Sequence, residues 1–153
     1  EPFSEWQIRN IHQLILKNID DDNAGRYRQQ NVLISGATTT PPDYTLLNDK
    51  MAQLVDWYNS EAHKLHPIER AAKVHADFVG IHPFIDGNGR TGRLLVNLEL
   101  MKAGYPPIDI KFTDRVEYYN AFDEYHLNGN LSAMEKLFAK YLDEKLGKYI
   151  SIL

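Results

Sequence analysis

The residues best suited to chemistry lie in one short run, His82-Pro83-Phe84-Ile85-Asp86-Gly87-Asn88-Gly89-Arg90-Thr91-Gly92-Arg93. Two glycines flank a small amide ahead of a helix, which lets successive backbone N–H groups turn toward one point and form a nest for an anion. The helix N-terminus adds its unpaired N–H groups and the positive end of its dipole. Arg90 and Arg93 are three apart and share a helix face near that end, where guanidinium forks suit phosphate oxygens. Asp86 sits at the rim of the same cradle, and a hard carboxylate oxygen beside bound phosphate is the normal way to hold Mg²⁺. His82, with a side chain that titrates near neutrality, is the natural general base. A base, a metal ligand and a polyphosphate cradle in so short a span describe phosphoryl or nucleotidyl transfer, a chemistry of positioning and charge stabilisation. Taken singly, each part has a plainer use: a histidine as cap or core residue, an aspartate or Gly-Asn-Gly as turn, two arginines as solvated charge. Their coincidence carries the functional reading.

The elements that must position this run are predominantly helical. Ser4 with Gln7 three residues on forms a capping-box pattern, and Ile8, Ile11, Ile15 and Ile19 repeat at helical spacing before Asp20-Asp21-Asp22-Asn23 and Gly25 break it. Residues 27–40 contain the β-prone Asn31 to Ser35, then Gly36 and Ala37 to Thr40, closed by Pro41-Pro42; they predict a small β-hairpin or flap. A second helix is expected from Asp43 to Asn59, with Leu47, Met51, Leu54, Val55 and Tyr58 on one side. A third opens at Pro67 and carries Ile68, Ala71, Ala72, His75, Phe78 and Val79. Ile81 to Gly87 reads as a loop. The fourth helix runs from Asn88 to about Ala103, with Gly104 as its C′ residue. Thr113 or Asp114 caps a fifth through Tyr125, and Ser132 with Glu135 opens a last helix toward Gly147. The expected fold is an all-α bundle with one β excursion, centred on the third and fourth helices, over a single domain spanning 1–153.

The run at 82–93 resembles the signature of the Fic family, His-Pro-Phe-x-Asp/Glu-Gly-Asn-Gly-Arg-x-x-Arg, and matches it at every specified position. Gly25-Arg26-Tyr27-Arg28 followed by Asn31 to Gly36 resembles the family's flap. Pro41-Pro42, Leu65 to Ala72 and Ala103-Gly104-Tyr105-Pro106-Pro107 resemble its branch of metazoan and bacterial adenylyltransferases. The resemblance implies transfer of AMP from Mg-ATP to a Ser, Thr or Tyr hydroxyl of a target protein, with auto-modification. In that scheme His82 deprotonates the hydroxyl, and Asp86 holds Mg²⁺ between the α- and β-phosphates. Asn88 contacts the α-phosphate, and Gly87 and Gly89 supply N–H groups. Arg90 and Arg93 bind the outer phosphates, with Thr91 and Gly92 between them in the nucleotide-binding stretch, and Phe84 anchors the loop. Tyr118 and Tyr119 fall where the family places adenine-pocket residues, with plain helix packing as the alternative; His126 lies nearby. Val32, Leu33, Ile34, Ser35 and Gly36 align an extended target segment by strand addition. UMP, phosphocholine or phosphate as the transferred group, and removal of AMP, stay open.

The family's inhibitory helix, Ser/Thr-x-x-x-Glu-Gly/Asn, has no full match here: Thr113-Asp114-Arg115-Val116-Glu117 has the first spacing but continues with Tyr118. The resemblance implies that such a helix is supplied in cis upstream, since the chain begins at Glu1 rather than Met, or in trans, and that the chain as given is uninhibited. The 153 residues carry a formal net charge of -4, which disfavours nucleic acid and anionic membrane as partners. The chain has no cysteine, which excludes disulfides and thiol chemistry and fits a reducing compartment, so a cytoplasmic location is expected. No apolar run is long enough to span a membrane.

Overall fold

The computed structural model describes residues 3–153. Six α-helices make up the described chain: α1 (Glu5–Leu16), α2 (Leu47–Ser60), α3 (Pro67–Ile81), α4 (Asn88–Lys102), α5 (Arg115–Asn128) and α6 (Ser132–Ile152). Among the described residues no helix is long and apolar enough to cross a membrane. The innermost element is α3. Its N-terminus is set by Pro67 in the first turn and by the His66 ring, which accepts from the Ile68 N–H at 3.2 Å. Ala71, Ala72, Val74, His75, Ala76, Phe78, Val79 and Gly80 are all buried along it. Helix α4 lies along α3 at close range, because a Cβ on Gly92 would stand 2.8 Å from Val79 Cγ2 and 3.1 Å from His75 Nδ1. Helices α1, α2, α5 and α6 surround this pair, and Phe78, Phe84, Phe122, Phe138 and Tyr141 fill the space between them.

Several sequence expectations shift in register. Ser4 does cap α1, accepting from Gln7 N–H at 3.1 Å, but the buried face is Ile8, His12 and Leu16 rather than the isoleucine repeat. The helix stops at Leu16, Asn18 turns the chain at φ 65°, and Ile19 lies outside and exposed. Asp114 stands at the N-cap of α5, but its side chain makes no capping bond there; its carboxylate accepts from the Tyr141 hydroxyl at 2.7 Å and ties the start of α5 to α6. Ser132 is already helical, and Asn130 takes the capping part by accepting from its N–H at 3.1 Å. Helix α6 continues past Gly147 to Ile152, since one exposed glycine weakens a helix by only about 1 kcal/mol.

The β-hairpin expected over 27–40 is not formed. Among the described residues there is no strand. The segment makes one tight turn, Ala37 N–H to Ile34 carbonyl at 3.3 Å with Gly36 at φ 94°, and several backbone groups at its two ends find partners elsewhere. Thr38 and Thr39 donate to the Asp123 carboxylate on α5, and Arg28 N–H donates to the Pro83 carbonyl. With those groups spent outward no ladder can close, and a two-stranded hairpin alone is marginal in water. The segment is therefore an irregular flap stretched between two anchors.

Candidate active site

His82 is the C-cap of α3, at φ 52° and ψ 57°. A non-glycine residue in this left-handed region is uncommon and must be held there. Its ring Nδ1 lies 3.1 Å from the Val79 carbonyl, which makes Nδ1 the protonated nitrogen and leaves Nε2 with the lone pair. Burial pushes the imidazole below its ordinary value of 6.5; the Val79 carbonyl opposes this and the Arg28 charge adds to it. Burial thus holds the ring toward its neutral form.

Between His82 and α4 nearly every backbone carbonyl has an assigned donor. Arg28 takes those of Ile81 and His82 with its guanidinium and that of Pro83 with its N–H. Asn88 closes the loop on itself: its Oδ1 accepts from Phe84 N–H at 3.0 Å and its Nδ2 donates to Phe84 carbonyl at 2.8 Å. His12 Nε2 lies 2.7 Å from the Asp86 carbonyl, and its Nδ1 accepts from Gly25 N–H at 2.9 Å, so the proton is on Nε2. The same ring stacks face to face on Phe84, with centroids 3.6 Å apart, and Phe84 is wholly buried. Most of the loop's carbonyls are thus satisfied inside the protein rather than by water.

The functional head groups point outward from this frame. Gly87, at φ 81°, turns the chain into α4. The N–H groups of Asn88, Gly89 and Arg90 begin the helix and have no partner among the described residues, whereas Gly87 N–H is taken by Asp86 Oδ1 at 2.8 Å. Asp86 is mostly exposed, and its other oxygen lies 3.3 Å from Arg90. Arg93 follows one turn on and lines a cleft of about 410 Å³ with Ile110, Lys111, Phe112, Arg115, Tyr118 and Tyr119. The structure thus brings Arg93, Tyr118 and Tyr119 together. Tyr119 also lies under the flap turn, 2.7 Å from where a Gly36 Cβ would be.

Other expected site residues have different surroundings. Thr91 is fully buried and Gly92 packs against α3, so in this structure both serve the helix interface rather than a nucleotide-facing surface. The Asn88 side chain is buried and committed to Phe84, not presented to a phosphate. Tyr118 is largely buried, its hydroxyl against His75 Nε2. His126 bonds the Ala76 carbonyl at 2.8 Å and packs on Gly80, on another side of α3. In the flap, Leu33 is 80% exposed but Ile34 is only 6% exposed and belongs to the core. Sequence reasoning missed His12, Arg28 and Asp123. Only His12 carried a signal, its place on an apolar stripe four residues from both Ile8 and Leu16.

An α-helical domain in which a left-handed histidine precedes a helix N-terminus with free N–H groups, a carboxylate and two helical arginines has the features of an anion-binding site. Residues 2–100 match the model of the Fic/DOC family, and the chain belongs to that family. It is 38% identical over 147 residues to protein adenylyltransferase fic-1 of Caenorhabditis briggsae, covering 95% of this chain and 28% of that protein. It is 39% identical over 145 residues to protein adenylyltransferase Fic of Nematostella vectensis, covering 94% of this chain and 33% of the relative. The chain therefore spans about a third or less of the curated relatives it matches. Among solved structures, Fic-1 of C. elegans (residues 134–508, E274G) superposes with TM-score 0.85 at 35% identity, over 99% of this chain and 44% of that one. A Fic domain-containing signaling protein from Bacteroides thetaiotaomicron superposes with TM-score 0.85 at 32% identity, over 95% and 61%.

Proposed function

We propose that this domain transfers the AMP of ATP to a side-chain hydroxyl of a target protein. The observation that carries the reading is the His82 ring, neutral and with Nδ1–H committed to Val79, so that Nε2 is the nitrogen able to take a proton. In the proposed step His82 Nε2 removes the hydroxyl proton as the oxygen attacks the α-phosphorus. The new O–P bond forms, the bond from the α-phosphorus to the bridging oxygen breaks, and pyrophosphate leaves. The free N–H groups at the start of α4 face the growing charge on the phosphoryl oxygens, and Arg90 and Arg93 hold the outer phosphates.

The residues present fit Mg²⁺. Among the described residues no three His, Asp or Glu side chains converge on a metal-sized site. Mg²⁺ is commonly held by one or two carboxylates with phosphates and waters completing its shell, and Asp86 is an exposed carboxylate at the nest. When bound, the ion would neutralise charge between phosphates. The names of the curated relatives support AMP as the transferred group. Within this reading Val32 to Gly36 receive the target segment, the cleft beside Arg93 takes the nucleotide, and an inhibitory glutamate supplied from outside this chain would compete for Arg93.

Incubation with ATP, UTP and CTP labelled in the α-phosphate, with and without EDTA, followed by mass spectrometry of the modified residue, tests the proposal. AMP on a hydroxyl, lost on chelation, is expected. Label from UTP or CTP alone, or no label on any protein, would overturn it.

A further inference from the structure

Arg28 is 4% exposed, and among the described residues it forms no ion pair. Its guanidinium is instead surrounded by main-chain carbonyls: Nε donates to His82 at 2.7 Å, one terminal nitrogen to Gln30 at 3.0 Å, and the other to Pro42 at 2.7 Å and Ile81 at 3.3 Å. Its own N–H donates to Pro83 at 2.9 Å. Removing a cation from water costs a great deal unless its surroundings compensate. Here the carbonyls of Ile81 and His82 supply part of that compensation, because they lie at the negative end of α3, where carbonyls lack helical partners.

The acceptors belong to three places in the chain: the start of the flap, its end, and the turn that carries the base. A neutral side chain could tie two of these. Only a planar fork with donors in several directions reaches all of them, and lysine has no such geometry. His82 meanwhile holds a backbone conformation that a side chain with a Cβ adopts reluctantly, and its carbonyl is one of the two shortest contacts of the fork. Beyond Arg28 the flap is fixed once more, by Asp123 at Thr38 and Thr39.

We infer that Arg28 is a positioning residue that locks the base-bearing turn to both ends of the flap, so that a segment laid along the flap meets His82 at one fixed register. The inference rests on the transfer reading given above. The flap alone could bind a target, and His82 alone could accept a proton; Arg28 sets the distance between them.

The test compares wild type with Arg28→Lys and Arg28→Gln. ATP affinity and the KM for ATP should stay within about twofold of wild type, because Arg28 touches no residue of the phosphate cradle, while kcat for transfer falls on the order of 10²-fold in both variants. Lysine keeps the charge and loses the fork, so it should not rescue kcat. Nitrogen NMR of the His82 ring gives a readout independent of activity: one Nδ1–H tautomer in wild type, a mixture in both variants. Full transfer by Arg28→Lys, an unchanged tautomer, or a parallel loss of ATP binding would each overturn the inference. If Arg28→Gln fails to fold, the lysine variant decides alone. If wild type itself transfers nothing, the transfer reading fails, and the tautomer measurement still decides whether Arg28 fixes the base.

Discussion

Replacing Asn88 by alanine separates two uses of the residue that the motif alone cannot tell apart. As a phosphate ligand it would matter only when nucleotide is bound. In the structure its amide is 2% exposed and makes two hydrogen bonds to the Phe84 peptide. Alanine would leave that N–H and carbonyl buried and unpaired, at about 1–3 kcal/mol each. The expected loss is therefore about 3 kcal/mol, which for a chain of this size lowers Tm by about 6–12 °C. Asn88→Asp should do worse at neutral pH, since a carboxylate oxygen would replace the donor facing the Phe84 carbonyl. The assay is thermal and urea unfolding without nucleotide. Unchanged Tm in Asn88→Ala, with ATP binding alone lost, would refute the loop-closing assignment.

His82→Ala should cut transfer by about 10²–10⁴-fold, the usual contribution of a general base, with ATP affinity little changed; transfer at the wild-type rate would exclude His82 as the base. In the flap, Leu33→Asp should weaken modification of a protein target without lowering Tm, whereas Ile34→Asp should destabilise the fold, because Leu33 is exposed and Ile34 is buried; equal effects on Tm would contradict this division. Stability should fall as pH drops from 6.5. Burial holds His75 at about 4 in the folded state and pushes His12 below 6.5, so the unfolded chain binds more protons in that window. A urea midpoint at pH 5 equal to or above that at pH 7 would count against it.

How much the sequence disclosed follows from the range of the interactions. The helices were legible because their signals are local: Ser4 ahead of α1, Pro67 at a first turn, an apolar stripe along 68–79. The candidate site could be read because His82 to Arg93 are contiguous and a helix N-terminus needs nothing distant to leave its first N–H groups free. What was hidden is the long-range part. His12 meets Asp86 across 74 positions, Arg28 meets His82 across 54, and Asp123 meets Thr38 across 85. The flap misled for the same reason. Its β-branched residues favour strands, but backbone groups at its ends were claimed from far along the chain, Thr38 and Thr39 by Asp123 and Arg28 by Pro83, and tertiary context outweighs strand propensity.

The loop divides into a hydrogen-bonded frame and exposed head groups. The carbonyls of Ile81, His82, Pro83, Phe84 and Asp86 are pinned by Arg28, Asn88 and His12, mostly through buried or partly buried contacts that are costly to break. Asp86 and Arg90, by contrast, meet in solvent at 3.3 Å, and an exposed pair of this kind is worth about 0–1 kcal/mol. In the proposed reaction, arriving phosphates and a divalent ion would separate that pair at little cost, the guanidinium turning to phosphate and the carboxylate to the ion. Donors held in place beforehand need no reorganisation during reaction. In that proposal the reorganisation that substrate requires falls on this exposed pair, leaving the position of His82 undisturbed.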